Sequence, residues 1–249
     1  MINPSLHVQD CQTLRCKSTP EIVPALPSLD SLALFMALRP RTQEALRKQA
    51  RKREVAKGDI LFLYEDPAQA FYFVESGWVK LYRETLDGDE AVLDVLQRGA
   101  IFGETAPYED GVYAYSAEVI EEGRILSFPL DILAREVKEN NDFAVAFLKH
   151  MAGKGLARDK DIELRAVQNA PQRIGCFLLR LCRGAEKNSA TLHLPWEKAL
   201  LAARLGMTPE TLSRAFARLQ KDIGLRIRGA TIEVPDIRAL ARYTCTACS

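Results

Sequence analysis

The sequence predicts an α+β protein with a β-barrel in its first half, a long helix after it and a winged helix-turn-helix at its C-terminal end. Three observations predict this. Short apolar runs recur about every ten residues between Glu54 and Pro129, with glycine-containing turns between them. Asp131 to Ala170 then reads as helix, with no proline until Pro171. Two helical segments meet at Gly206, and a short glycine-centred β segment follows them.

Residues 1–30 carry Pro4, Pro20, Pro24 and Pro27 with little periodicity and read as a loosely ordered arm. Ser31 to Arg51 reads as a helix on Leu34, Leu38 and Leu46, with a basic tail at Arg47, Lys48, Arg51 and Lys52. The barrel, residues 31–130 with that helix included, is read from four strands: Ile60–Tyr64, Phe71–Val74, Trp78–Tyr82 and Ala91–Val95. Turns are expected at Lys57-Gly58-Asp59, Glu75-Ser76-Gly77 and Asp87-Gly88-Asp89.

Residues 131–170 form a helical region. Leu148, Met151, Gly155, Arg158 and Ile162 recur in it at spacings of three and four, a seam suited to a second copy of the helix. Gly155 and Arg158 are poor seam residues, and packing on the chain's own barrel is the alternative. Pro171 is placed to open the next helix, through Ile174, Phe177, Leu178 and Leu181, and Gly184 to stop it. The domain junction is placed at Pro171, so that residues 171–249 form the last domain.

Trp196 to Leu205 reads as the first helix of the pair, with small Ala199, Ala202 and Ala203 for close approach of another helix. Thr208 is a good N-cap, and Pro209 takes the first helical position. Leu212, Phe216 and Leu219 form the expected buried face. Glu210, Ser213, Arg214 and Arg218 share the opposite one, with Thr211 beside them. That face suits a major groove: Arg pairs with guanine, Glu accepts from cytosine, and Ser adapts to either. Leu225 to Val234, with Gly229 between two β-prone stretches, is the expected wing, with Arg226 and Arg228 placed for phosphates. The alternative is an ordinary amphipathic pair with solvated charges.

Charge supports the nucleic-acid reading. The chain carries +1 overall, but Pro171 to Ser249 holds 13 Lys/Arg against 6 Asp/Glu, a surplus of +7. No apolar run approaches a membrane span, and Met1 to Pro20 lacks the pattern of a signal peptide, so no membrane partner and a cytoplasmic location are expected. Enzyme motifs are missing: there is no phosphate loop, no Gly-x-Ser-x-Gly and no His-Glu-x-x-His.

The whole pattern resembles the CRP/FNR superfamily of bacterial regulators along nearly the whole chain. Gly99-Ala100-Ile101-Phe102-Gly103-Glu104, with Tyr115-Ser116-Ala117 later, is similar to the family's ligand-pocket loop. Asn169 to Ile174 resembles its hinge, and Thr208 to Arg214 its reading helix. The resemblance implies a jelly-roll, cyclic-nucleotide-binding-like sensor domain, a long dimerisation helix, double-stranded DNA as partner, a homodimer and contact with RNA polymerase. The trio Glu210, Ser213, Arg214 matches the FNR branch, which implies TTGAT-type half-sites. A sensory or nucleotide-binding module acting on a protein partner is the alternative function.

Two departures bear on the effector. Among the family's cyclic-nucleotide binders an Arg precedes the Ser-Ala pair and neutralises the phosphate. Tyr115 stands there instead, so cyclic AMP is not expected at a pocket of Gly103, Glu104, Tyr115 and Ser116. The FNR branch also holds an iron–sulfur cluster on cysteines that this chain lacks in part: the arm keeps Cys11 and Cys16, and the barrel has none. Cys11 and Cys16 with the C-x-x-C pair Cys245 and Cys248 are the remaining thiolates for zinc or iron–sulfur, the alternative being free cysteines on flexible termini. His7 and His150 are the candidates for haem, the alternative for His150 being a structural role.

Overall fold

The computed structural model describes residues 29–245, apart from 86, 89, 183–186 and 195–196. The expectations placed on the arm, His7, Cys11, Cys16, Gly184, Trp196 and Cys248 lie outside the described residues. The described chain divides into two compact units, one ending at Asp159 and the other beginning at Lys160.

The first unit opens with two short helices, α1 (Ala33–Met36) and α2 (Pro40–Gln49), where one helix was expected. Pro40 separates them, since proline suits the first turn of a helix and breaks an interior. Strands β1 (Arg51–Val55), β2 (Ile60–Phe62), β3 (Ala70–Glu84), β4 (Glu90–Leu96), β5 (Ile101–Phe102) and β6 (Ser116–Pro129) follow. They pair antiparallel in the order β1-β6-β3-β4, with β2 on β6 and β5 on β3. Arg51 and Lys52, expected at a helix end, open β1 instead.

The expected turn at Glu75-Ser76-Gly77 is a bulge inside the single strand β3, where the register against β6 shifts between Val74 and Val79. Glycine on both strands makes the crossing possible. A Cβ on Gly123 would meet Ser76 O at 2.2 Å, and one on Gly77, at φ 84°, would meet two carbonyls of β6 at 2.8 Å. Inside the sheet lie Phe71, Phe73, Val79, Phe102, Val119 and Phe128, all buried.

Helices α3 (Leu130–Glu139) and α4 (Asn141–Val167) occupy the stretch expected as helical throughout. Asn140 interrupts it at φ −132°, and its Oδ1 accepts from the N–H of Phe143 at 3.2 Å to restart the chain. Its amide also donates to Glu136, which is buried and accepts from Arg39 and Thr42 as well. Phe143 and Phe147 seat the first turns of α4 on the core.

The second unit contains the end of α4, then α5 (Ala170–Leu181), β7 (Ala190–His193), α6 (Lys198–Arg204), α7 (Pro209–Ile223), β8 (Arg226–Arg228), β9 (Thr231–Val234) and α8 (Ile237–Cys245). Asn169 and Gln172 form a reciprocal capping box at the start of α5, with Pro171 in its first turn. The wing is a three-stranded sheet in the order β7-β9-β8, one strand more than expected. Helix α8, also unforeseen, lies so close to α5 that a Cβ on Gly175 would meet Thr244 Cγ2 at 2.5 Å.

Candidate DNA-reading surface and sensor pocket

The second unit builds its candidate reading surface on a tight turn. Gly206, at φ 64°, closes it, and the N–H of Met207 returns to Ala202 O at 3.0 Å. Thr208 caps α7, its Oγ1 accepting from the N–H of Thr211 at 3.3 Å. Gly224 ends the helix in the left-handed region, at φ 72°. Leu212, Ala215 and Leu219 are buried, whereas Phe216, expected beside them, is only half-buried. Of the three alanines expected to let the helices approach, Ala202 alone is buried; Ala199 and Ala203 face solvent.

Glu210, Ser213, Arg214 and Arg218 are all exposed on the other face of α7. Glu210 is held below the usual carboxylate range by a backbone N–H and the Thr208 hydroxyl, with the Arg214 charge adding to both. It is therefore an anion and an acceptor only. Arg214 donates to Thr211 Oγ1 at 3.3 Å, which holds the guanidinium near the start of the helix. Arg218 pairs with Asp222 at 3.3 Å. On the wing, Arg226 and Arg228 stand exposed on either side of Ile227, and Arg226 lies 3.7 Å from Glu233.

In the first unit the expected pocket residues are turned to different partners. Tyr115 is buried, and its hydroxyl accepts from the N–H of Gly103 at 2.9 Å. Burial, with the Glu104 charge nearby, pushes its phenol up, so it stays protonated. Phe62 stacks on Tyr113 with centroids 3.7 Å apart and lies 5.9 Å from the Tyr115 ring, while Tyr72 stacks on Phe102 at 5.1 Å. Two of these rings crowd Gly103, where a Cβ would meet Tyr113 at 3.2 Å and Tyr72 at 3.5 Å. Ser116 is buried and accepts from the N–H of Tyr64 at 2.9 Å.

Glu104 turns the other way, onto α4. It is 0% exposed, and its Oε1 meets His150 Nε2 at 3.0 Å and Lys154 Nζ. Lys154 also donates to Ile101 O at 2.9 Å. Burial acts to raise the Glu104 pKa, but the His150 hydrogen bond and the Lys154 charge outweigh it and hold the carboxyl below its ordinary value. Sequence reasoning singled out Glu104 and His150 but missed Lys154; its place four residues after His150 on one helix is the signal that could have joined them. A cleft of about 740 Å³ opens beside this trio, lined by Leu32, Leu34, Leu96, Ile101, Ala146 and Lys149 among others.

The seam residues of α4 divide. Leu148, Gly155, Arg158 and Ile162 are exposed, and Leu148 and Ile162 show 68% and 66% of their surface. Met151 is half-buried and packs against the barrel core instead. Leu156, 70% exposed, was overlooked. A Cβ on Gly153 or Gly155 would meet nothing.

Cys182 is buried, which pushes its thiol up to about 11, and Cys176 accepts from Gln168 at 3.2 Å. Cys245 closes α8. Among the described residues no three His, Cys, Asp or Glu side chains gather as metal ligands, and no helix is long and apolar enough to cross a membrane.

Residues 52–140 match the family "Cyclic nucleotide-binding domain", and residues 172–243 match "Crp-like helix-turn-helix domain". The chain is 26% identical over 214 residues to a CRP-like cAMP-activated global transcriptional regulator of Mycobacterium tuberculosis, covering 84% of this chain and 95% of that one. It is 27% identical over 196 residues to the fumarate and nitrate reduction regulatory protein of Escherichia coli, covering 77% and 78%. A crystal structure of a candidate cyclic-nucleotide-binding protein from Ruegeria pomeroyi is 34% identical, with a TM-score of 0.68 over 86% of this chain and 96% of that one. FixK2 of Bradyrhizobium japonicum, 23% identical, shares the fold with a TM-score of 0.69 over 78% and 96%.

Proposed function

The chain belongs to the CRP/FNR superfamily of DNA-binding transcription regulators, and from that premise we propose that it acts as a homodimer on an inverted repeat with TTGAT-like half-sites. The observation that carries this reading is the exposed face of α7, where Glu210, Ser213 and Arg214 stand together one turn from a capped N-terminus. In a major groove Arg214 donates to the guanine, Glu210 accepts from bases of the complementary strand, and Ser213 contacts the outer part of the half-site. Arg226 and Arg228 serve the phosphates. The helix-turn-helix match favours this reading over a sensory module that acts on a protein partner. RNA polymerase is the proposed protein partner and the cytoplasm the place of action.

The dimer forms along α4 through Leu148, Gly155, Arg158 and Ile162, joined by Leu156. The exposed apolar side chains supply the burial, and the open space over Gly153 and Gly155 admits a second helix closely.

The signal is not cyclic AMP. Tyr115 supplies no cation for a phosphate, and the rings of Tyr113 and Tyr72 crowd Gly103. His150 does not suit a resident haem, because iron ligation through Nε2 would take that nitrogen from the buried Glu104. The terminal thiolates remain the candidates for a redox cofactor, and metal analysis with ultraviolet–visible spectra of anaerobically purified protein decides between a cluster and free cysteines.

Fluorescence anisotropy at moderate salt tests the main reading. A duplex with the inverted repeat is expected to bind at least a thousandfold more tightly than a scrambled duplex, the lower bound for specific recognition, about 10³. Equal affinity for the two contradicts it.

A further inference from the structure

The second unit holds a charge cluster that its reading face does not use. Asp161, on the last turns of α4, accepts from Arg180 of α5 through Oδ1 at 2.6 Å and from Arg204 of α6 through Oδ2 at 2.8 Å. The pair is largely buried, with 16% of the Asp161 side chain and 12% of the Arg204 side chain exposed. Two further arginines close on the same place. Arg165 donates to the carbonyl of Arg204 at 2.8 Å, and Arg173 to the carbonyls of Leu205 and Gly206, each at 3.1 Å. These carbonyls are the C-terminal end of α6 and the turn that leads into α7. They lie at the negative end of a helix, where cationic donors are favoured.

Helix α6 is seven residues long, with no side-chain hydrogen bond capping its N-terminus. So short a helix does not hold its own geometry; its neighbours and these ties hold it. Asp161 is the anion that joins Arg180 of α5 to Arg204 of α6. Without it the bridge between the two helices is lost, and Arg180 and Arg204 are left close together as like charges.

We propose that Asp161 is a positioning residue for DNA reading: by holding Arg204 and Arg180 together it fixes the turn between α6 and α7, so that Glu210, Ser213 and Arg214 meet base edges at once. The inference rests on the DNA-reading role of α7 proposed above. It has a distinctive sign. Removing an acid from a basic DNA-binding unit strengthens its attraction to phosphates, so electrostatics alone makes Asp161→Asn bind every duplex more tightly. Loss of positioning weakens the inverted repeat only, because base contacts demand alignment whereas phosphate contacts supply sequence-independent attraction.

The test measures full-length wild type, Asp161→Asn and Asp161→Glu by anisotropy on the inverted-repeat duplex and on a scrambled duplex, with circular dichroism melts alongside. Asp161→Asn is expected to lower the ratio of the two affinities roughly tenfold or more, the scale of one or two lost base contacts, while the scrambled duplex binds as before or more tightly. Asp161→Glu keeps the charge and recovers part of the ratio. Should Asp161→Asn fail to fold, Arg180→Gln removes the more exposed ion pair and is expected to lower the ratio in the same direction. An unchanged ratio in a folded variant, or a parallel loss on both duplexes, overturns the inference. A wild type that prefers neither duplex overturns the reading of α7 itself.

Discussion

Two arginines of the second unit are expected to fail in different ways. Arg214 stands near the start of α7, held by Thr211, on the face with Glu210 and Ser213. Arg214→Ala is expected to cost about 1–3 kcal/mol of specific binding and to relax the preference at one guanine. Arg228, exposed on β8, is the proposed phosphate contact, so Arg228→Ala is expected to weaken all duplexes alike and reduce the salt slope by about one unit. Titrations at two salt concentrations separate the outcomes. In the first unit, Glu104 couples folding to pH. Its carboxyl is held below its ordinary value of 4.5, so its contribution is complete above that value and is lost as pH falls through the folded-state value. Thermal melts should show the first unit losing stability below about pH 4.5. Glu104→Gln should reduce that acid-sensitive part and cost about 2 kcal/mol at neutral pH, discounted for the partial exposure of His150 and Lys154. A melt in which Glu104→Gln matches wild type at every pH would show the carboxylate to be without effect.

Among the elements, α4 carries the prediction for assembly. Ile162 is exposed on the seam, and Ile162→Glu would place two like charges opposite each other in a dimer. Light scattering at micromolar concentration should show wild-type dimers and Ile162→Glu monomers; wild-type monomers, also with DNA present, would contradict the dimer. What sequence could show differed by element. Helix α7 was legible at its start and along its face, because Thr208 and Pro209 mark its beginning and its apolar spacing is clean, whereas its end at Gly224 was not singled out. Phe216 was misplaced because Ala215, a small residue, takes the buried position on the same face. Strand β6 was invisible, since Glu121-Glu122-Gly123 interrupts its apolar alternation and only pairing with β3 over most of its length makes it one strand. The Gly77 bulge looked like a turn for the complementary reason: glycine marks both, and only the carbonyls of the partner strand decide. The Glu104 pocket was half legible. Its loop motif is local, but its reorientation depends on His150 and Lys154, far along the chain.

At the scale of the whole chain, charge and chemistry are divided between the two ends of the sequence. The +7 surplus of the last 79 residues, from Pro171 to Ser249, is expected to set a steep salt dependence for binding any DNA, and the α7 face is proposed to set which DNA is preferred. At the proposed pocket Tyr115 supplies no cation for a cyclic phosphate, so calorimetry with cyclic AMP is expected to show no micromolar binding; micromolar affinity with enhanced DNA binding would contradict that account of the pocket. The most direct measurement of the central claim is selection of binding sites from a random duplex pool by the full-length chain, alongside Arg214→Ala. The account predicts an inverted repeat of TTGAT-like half-sites, centred about one helical turn apart, with the guanine position relaxed in the variant. Selection of no inverted repeat, or of an unchanged motif by Arg214→Ala, would contradict it.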